Sequence, residues 1–141
     1  MKNLLNCVCA EKWGSYAPLV LRVVTGFVFA MHGWQKLQGG VPGVSGFLGM
    51  LGFPMPEVFA VLLIAAELGG GILLILGLWT HWTAKVLAFV ALVALFSVHA
   101  TKGFFISGGG YEYILLIFAA SFSLMVTGAG KWSLDHKMHK Q

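Results

Sequence analysis

The composition of this 141-residue chain excludes a soluble globular protein. Apolar residues make up 58% of it and charged residues 10%, whereas about 25% of the residues in a soluble domain are charged. The formal net charge is only +4, and nothing in the sequence predicts a nucleic-acid partner. The apolar residues form four long blocks, so we predict an integral membrane protein whose partner is the lipid bilayer.

Each apolar block is long enough for a transmembrane helix, because a span needs about 17–25 residues to cross roughly 30 Å of hydrocarbon. Uninterrupted apolar runs exclude a membrane barrel, whose strands alternate between apolar and polar residues. We therefore predict an all-α, four-helix up-down bundle. The predicted parts are an N-terminal segment at 1–15, a transmembrane domain at 16–130 with helices near 16–38, 56–78, 82–102 and 111–128, and a tail at 131–141.

The predicted connectors contain glycine and proline, which favour loops. They lie at residues 39–43, 52–56 and 108–110, and Pro56 is well placed to open the second helix. The connector at 79–81 is very short, so the second and third helices should be antiparallel neighbours. Small residues in the first two helices are predicted to be helix-packing positions: Thr25, Gly26, Gly33, Gly69, Gly70, Gly71 and Gly77.

Lysine and arginine predict the orientation, because cytoplasmic segments of membrane proteins are enriched in them. On one side of the membrane, the predicted helix ends and connectors contain only Lys36 and Lys102. We therefore predict both termini in the cytoplasm, the first and third connectors in the periplasm, and a bacterial inner membrane as the location. The opposite, cytoplasmic side contains Lys2, Lys12, Arg22, Lys85, Lys131, Lys137 and Lys140.

The amino terminus contains both cysteines, Cys7 and Cys9, and no apolar stretch precedes them. The segment therefore does not have the pattern of a cleavable signal. A C-x-C pair can bind a soft metal or exchange disulfides. With no histidine or further cysteine nearby, and with cytoplasmic thiols kept reduced, we predict ordinary free thiols.

Five polar residues stand out within or at the ends of the predicted spans, where a central charge costs on the order of 3 kcal/mol. His32 and Lys36 are one turn apart and share a face of the first helix. Glu67 is alone in the middle of the second helix, while His99 and Glu112 lie at the outer ends of the third and fourth. We predict a polar column that runs from the outer surface to the bilayer midplane.

A metal site is one interpretation of the outer part of this column. Imidazole and carboxylate groups bind iron, copper, zinc and manganese, so His32, His99 and Glu112 are the predicted ligands. Two structural alternatives stay open. Glu112 would favour its helix amino terminus and pair with Lys36 or Lys102, and His99 would lie in the headgroup zone.

Glu67 requires a compensating partner or a raised pKa if it lies at the midplane. Counting about 1.5 Å per residue places Arg22 roughly 8 Å to its cytoplasmic side and His32 roughly 8 Å to its outer side. Arginine has the longer side chain and stays charged. We therefore predict an Arg22–Glu67 contact, with His32 continuing the polar path outward.

The order and spacing of several short motifs resemble the DoxX family over about residues 16–135. The resemblance implies a small four-helix membrane protein. The family is named for the membrane subunit of a thiosulfate:quinone oxidoreductase, and other members are linked to thiol-redox balance, quinone or aromatic detoxification, and metal-related gene clusters. The motifs are Arg22, His32-Gly33-x-x-Lys36, Gly52-Phe53-Pro54-x-Pro56, Glu67-Leu68-Gly69-Gly70-Gly71, Gly77-Leu78-Trp79-Thr80, His99, Gly110-Tyr111-Glu112 and Gly128-x-Gly130-x-x-Ser133-Leu134-Asp135.

The leading hypothesis is a membrane subunit of a quinone- or thiol-linked redox system. A quinone site needs an apolar slot that lipid can reach, with a hydrogen-bonding or proton-transferring group near each carbonyl. No cysteine faces the predicted periplasm, so thiol chemistry there would need a partner oxidoreductase or another periplasmic protein. The predicted catalytic residues are His32, Glu67, His99 and Glu112, with Arg22 and Lys36 in supporting positions.

Other classes of function stay open. The same polar column would serve a small transporter or a metal-handling membrane protein. An accessory or assembly subunit without chemistry of its own is a third hypothesis. Neither the bound cofactor, for which quinone and a metal ion are the candidates, nor a homo-oligomeric state follows from the sequence.

The predicted orientation can be tested by cysteine labelling of intact cells. Cysteines placed at Gly40 and Gly109 should react with an impermeant reagent added from outside, because both lie on the predicted periplasmic side. Cysteines at Lys12 and Lys137 should not react. The reverse pattern of labelling would invert the topology.

Overall fold

The computed structural model describes residues 14–138, and every regular element in this range is a helix. The prediction of an all-helical membrane bundle is confirmed. Cys7, Cys9 and the rest of the segment before residue 14 lie outside the described residues. After a short turn at Gly14–Tyr16, the α-helices are α1 (Ala17–Met50), α2 (Pro56–Leu76), α3 (Thr80–Ala94), α4 (Glu112–Thr127) and the short α5 (Leu134–Met138).

Three helical stretches in the described range are long and apolar enough to cross a membrane: Gly14–Met50, Pro56–Leu76 and Thr80–Lys102. The fourth apolar helix, α4, has 16 residues and is shorter. Such a helix can be accommodated by a small tilt or by local thinning of the bilayer. The helices therefore provide three full-length candidate spans and one short one.

The first helix is much longer than predicted, because residues 39–43 form a kink within α1 and not a loop. Gly40 adopts φ 76° and ψ 156°, a backbone conformation that favours glycine. Pro42 follows two residues later, at the start of the second helical segment. The first amides of a helix have no intrahelical acceptor, so the missing N–H of Pro42 removes no hydrogen bond there.

The segment of α1 after the kink packs on the first half of α2. Val44 and Leu48 are buried against Ala60 and Ile64 in a small apolar cluster. This contact explains why the chain resumes a helix after Gly40 instead of forming the predicted connector. The turn to α2 then occupies residues 51–55.

Close approach of α1 and α2 is the most extensive helix contact in the bundle. A Cβ atom added to Gly71 would lie 2.5 Å from the backbone nitrogen of Ala30 and 2.6 Å from the carbonyl oxygen of Gly26. Gly33 packs equally closely on the backbone of Leu68. The predicted packing role is confirmed for Gly26, Gly33 and Gly71, since any side chain there would separate the two helices. It is wrong for Gly69, where an added Cβ atom would meet nothing within 4 Å.

The remaining contacts close the bundle. α3 packs against both α2 and α4, and α4 also contacts α1. A π-helical turn at Leu95–His99 and a 3₁₀ turn at Ala100–Lys102 extend α3. The central core contains Phe29, Leu74, Ala84, Leu87, Ala91, Ile117 and Leu124.

Much of the predicted tail belongs to the bundle. The carboxylate of Asp135 accepts hydrogen bonds from the backbone amides of Trp79 (2.7 Å) and Thr80 (2.8 Å) at the start of α3. Its own amide donates to the carbonyl of Gly77 at 2.9 Å. A carboxylate at a helix amino terminus is favourable, so Asp135 holds the α2–α3 connector and the chain end together.

We expect Gly71→Ala to destabilise the protein by about 1–3 kcal/mol, because the methyl group would push α1 away from α2. The matched control is Gly69→Ala, since an added Cβ there meets nothing within 4 Å. Thermal unfolding in detergent would measure both variants. Equal melting temperatures would show that the close contact does not limit stability.

Candidate functional site

A cavity of about 220 Å³ lies between the four long helices, at the end of the bundle opposite Gly14 and the short helix α5. Most of its wall is apolar, and the polar side chains converge from different helices. The predicted residues His32, Lys36, Glu67 and His99 all line it, whereas Arg22 and Glu112 do not. The wall consists of Val28, Phe29, His32, Lys36, Glu67, Ala94, His99, Ile106, Gly109, Gly110, Tyr113, Ile114 and Ile117.

An ion pair joins α1 and α2 in this wall. The ammonium of Lys36 lies 2.5 Å from Oε2 of Glu67. The Glu67 side chain is 9% exposed and that of Lys36 30%, so the pair is largely shielded but retains access to the cavity. Lys36, predicted only as a supporting residue, is the partner that compensates the charge of Glu67.

His99 is the last residue of the π-helical turn at the end of α3. Its Nδ1 lies 2.7 Å from the carbonyl oxygen of Gly109. A carbonyl can only accept a hydrogen bond, so Nδ1 must donate, and in the neutral imidazole Nε2 is then the acceptor. The π-helical turn and the loop that contains Gly109 thus select the tautomer of His99 in the cavity wall.

His32 and Tyr113 lie opposite each other in α1 and α4. Their ring centroids are 6.5 Å apart, and both side chains are exposed while also lining the cavity. Sequence reasoning missed Tyr113. Helical periodicity was the available signal, because Tyr113 is one turn before Ile117, which is buried and faces the same cavity.

Glu112 has a structural role. Its Oε1 accepts a hydrogen bond of 2.7 Å from the amide of Ile106, and its own amide donates to the carbonyl of Phe104 at 2.9 Å. The side chain thus orders the loop before α4. Glu112 lies in the first turn of α4, as the structural alternative predicted, but its carboxylate accepts from a loop amide instead of lining the cavity or pairing with a lysine.

The predicted metal site is not assembled. Within residues 14–138, no three side chains of the His, Cys, Asp and Glu types are grouped closely enough to hold a metal ion. Glu112 points its carboxylate at the loop amide of Ile106, and Nδ1 of His99 is used by Gly109. The structure therefore does not bring His32, His99 and Glu112 together as ligands.

The predicted Arg22–Glu67 contact is wrong. The guanidinium is buried at the opposite end of the bundle, and its Nε donates to the carbonyl of Ala129 at 3.1 Å. The contact of Gly33 with Leu68 aligns Lys36 with Glu67 and leaves Arg22 beside the last turn of α2. The prediction placed the end of the first helix near residue 38, whereas α1 continues to Met50. It therefore aligned α1 and α2 at the wrong height along the bundle axis. In total Arg22 donates to the carbonyls of Leu74, Ile75, Ala129 and Trp132.

The DoxX sequence profile matches residues 17–100, which contain His32, Lys36, Glu67 and His99. The chain belongs to the DoxX family. It is a multi-pass inner-membrane protein, in agreement with its apolar helices and with the names of its relatives. No solved structure matches the chain.

Three relatives show how far the similarity of this DoxX-family chain extends. A Bacillus subtilis protein named "Putative oxidoreductase CatD" is 35% identical over 83% of each chain. An uncharacterized protein of Haemophilus influenzae is 36% identical over 93% of this chain and 97% of its own length. The Escherichia coli inner membrane protein YqjF is 29% identical over 93% of this chain and 98% of its own.

A double-mutant cycle tests the Lys36–Glu67 pair. We expect Lys36→Met and Glu67→Gln each to destabilise the protein by about 1–3 kcal/mol, between the values for surface and buried pairs. The double variant should lose less stability than the sum of the losses in the two single variants. The control cycle combines Arg22→Met with Glu67→Gln and should be additive, because these residues lie at opposite ends. Additivity in both cycles would contradict the ion pair.

Proposed function

We propose that this DoxX-family protein is a membrane subunit of a redox system and that its cavity binds the headgroup of a quinone. The observation that carries the proposal is the cavity wall, where an ion pair and an oriented histidine face a mostly apolar space. A quinone headgroup has the matching chemistry, with carbonyl oxygens on a flat apolar ring. The relative named as an oxidoreductase supports a redox role.

The cavity is small for a complete drug-sized ligand. Such ligands occupy pockets of roughly 300–1,000 Å³, whereas this one measures about 220 Å³. A single substituted ring matches the available volume better than an extended molecule. Any hydrophobic tail on the ring would therefore lie outside the cavity.

The polar groups suit the two oxygens of such a ring. The ammonium of Lys36 is a charged donor, and its pairing with Glu67 leaves donor hydrogens available. Nδ1 of His99 donates to the carbonyl of Gly109, which leaves Nε2 for the ligand. Nε2 accepts a hydrogen bond from a quinol hydroxyl when the imidazole is neutral and donates one to a quinone carbonyl when it is protonated. Tyr113 adds a phenol at the cavity edge.

The proposal divides the redox chemistry between this chain and a partner. Reduction of a quinone takes up two electrons and two protons. Both cysteines of the chain precede residue 14, so no thiol lies in the described cavity wall, and the electrons would come from a partner oxidoreductase. The role of the cavity residues would be to orient the ring and to supply or remove protons.

Binding of a quinone to the purified protein in nanodiscs tests the proposal. We expect Lys36→Met and Glu67→Gln each to weaken binding at least about tenfold, since loss of one charge-assisted hydrogen bond is worth about 1.5–3 kcal/mol. The matched controls are Lys85→Met and Glu57→Gln. Neither Lys85 nor Glu57 lines the cavity, and Lys85 lies over the ring of Trp82 at 4.2 Å.

Two outcomes would contradict the proposal. Equal loss of binding in the cavity variants and the controls would show that the cavity is not the site. Absence of quinone binding in the unaltered protein would favour an accessory or assembly subunit.

A further inference from the structure

The outer mouth of the cavity is covered by the loop between α3 and α4. Residues 103–110 are held by their own hydrogen bonds, and Ile106, Gly109 and Gly110 form part of the cavity wall. Gly110 is packed so closely that an added Cβ atom would lie 2.6 Å from the carbonyl carbon of Phe104. The bonds include Tyr111 N to Gly103 O (3.1 Å), Glu112 N to Phe104 O (2.9 Å), Gly110 N to Phe105 O (3.0 Å) and Ile106 N to Glu112 Oε1 (2.7 Å).

This loop presents apolar side chains on its outer surface. Phe105 is 69% exposed and Ile106 57%. Together with Phe104 they form a surface that favours the interface between lipid and water. The loop is therefore suited to lie at the bilayer interface.

The other sides of the cavity differ in how tightly they are closed. The α1–α2 side is sealed by the backbone contact of Gly33 with Leu68, and α3 packs extensively on α4. The contact between α1 and α4 is the smallest of the four main contacts between helices. At its base Phe29 and Ile117 are buried and form the cavity floor.

Above that floor, the side of the cavity between α1 and α4 is bordered by His32 and Tyr113. Both side chains are exposed on the surface of the bundle and line the cavity. A ring separation of 6.5 Å between centroids leaves them close but not stacked. We call this side, bordered by His32 and Tyr113, the α1–α4 opening.

We infer that the cavity is entered from the bilayer through the α1–α4 opening, and that its ligand is a lipid-soluble molecule with a small polar headgroup and an apolar tail. The headgroup lies between the Lys36–Glu67 pair and His99, and the tail passes between His32 and Tyr113 into lipid. The choice of a tailed ligand rests on the proposed function. The entry route rests on the cavity geometry alone.

A cysteine on the cavity wall tests the route without any quinone. The experiment uses the Cys7→Ser, Cys9→Ser variant in nanodiscs, into which Ala94→Cys is introduced. The new cysteine should react with N-ethylmaleimide, which partitions into lipid. It should not react with a methanethiosulfonate reagent that carries a charged sulfonate group. Ser107→Cys on the exposed loop is the control and should react with both. Adding His32→Trp should slow the maleimide reaction at least about fivefold by filling the opening. Adding Met31→Trp, on the neighbouring exposed position of α1, should not.

Equal reaction of Ala94→Cys with the charged reagent would overturn the inference, because it would show an aqueous path through the loop. Failure of both reagents would also overturn it by showing a closed cavity. An unchanged maleimide rate in the His32→Trp variant would show that the opening lies elsewhere.

Binding of a tailed quinone and of its tailless headgroup then tests the ligand class. We expect His32→Trp to weaken binding of the tailed form at least about tenfold relative to the tailless form, whereas Met31→Trp leaves the ratio unchanged. An equal effect on both forms would overturn the tailed ligand. A third outcome is that Ala94→Cys reacts with the maleimide alone while neither quinone binds. This outcome would contradict the proposed function and leave the entry route supported.

Discussion

The backbone contact between α1 and α2 determines the relative position of every charged group in the two helices. Because Gly71 lies against Ala30 and Gly26, the helices cannot slide along each other without a clash. Dispersion and close packing drive such contacts in a bilayer, where lipid is as apolar as the side chains. This one contact places Lys36 level with Glu67.

The same alignment provides partners for Arg22 at one end of the bundle and for Glu67 at the other. At one end, the guanidinium of Arg22 meets carbonyl oxygens from the last turn of α2 and from the chain after α4. The carbonyl of Leu74 also accepts from the amide of Gly77 at 3.1 Å, so arginine adds a further donor at a helix end, where carbonyls lack their regular intrahelical amides. At the other end, Lys36 compensates Glu67. A charge within a membrane helix is costly, and such compensation reduces the cost.

The cavity depends on irregular backbone as much as on helices. The π-helical turn brings His99 to the glycine loop, and Glu112 holds that loop by accepting from the amide of Ile106. Irregular backbone at the depth of a membrane is tolerated where its polar groups are satisfied or line a cavity. Hydrogen bonds hold the loop over one end of the cavity, and the contact between α1 and α4 at its side is small. Together these features favour access to the cavity from lipid.

Composition and apolar block length determined the fold class, because few arrangements satisfy a backbone in hydrocarbon. The sequence also identified four of the cavity residues, since polar groups in apolar helices are rare enough to stand out. It did not identify the partner of Glu67, the kink at Gly40 or the loop role of Glu112. Each of these depends on how far one helix is displaced along another and on where a carboxylate points. Only tertiary packing decides such distances, because periodicity specifies the face of a helix but not its neighbour.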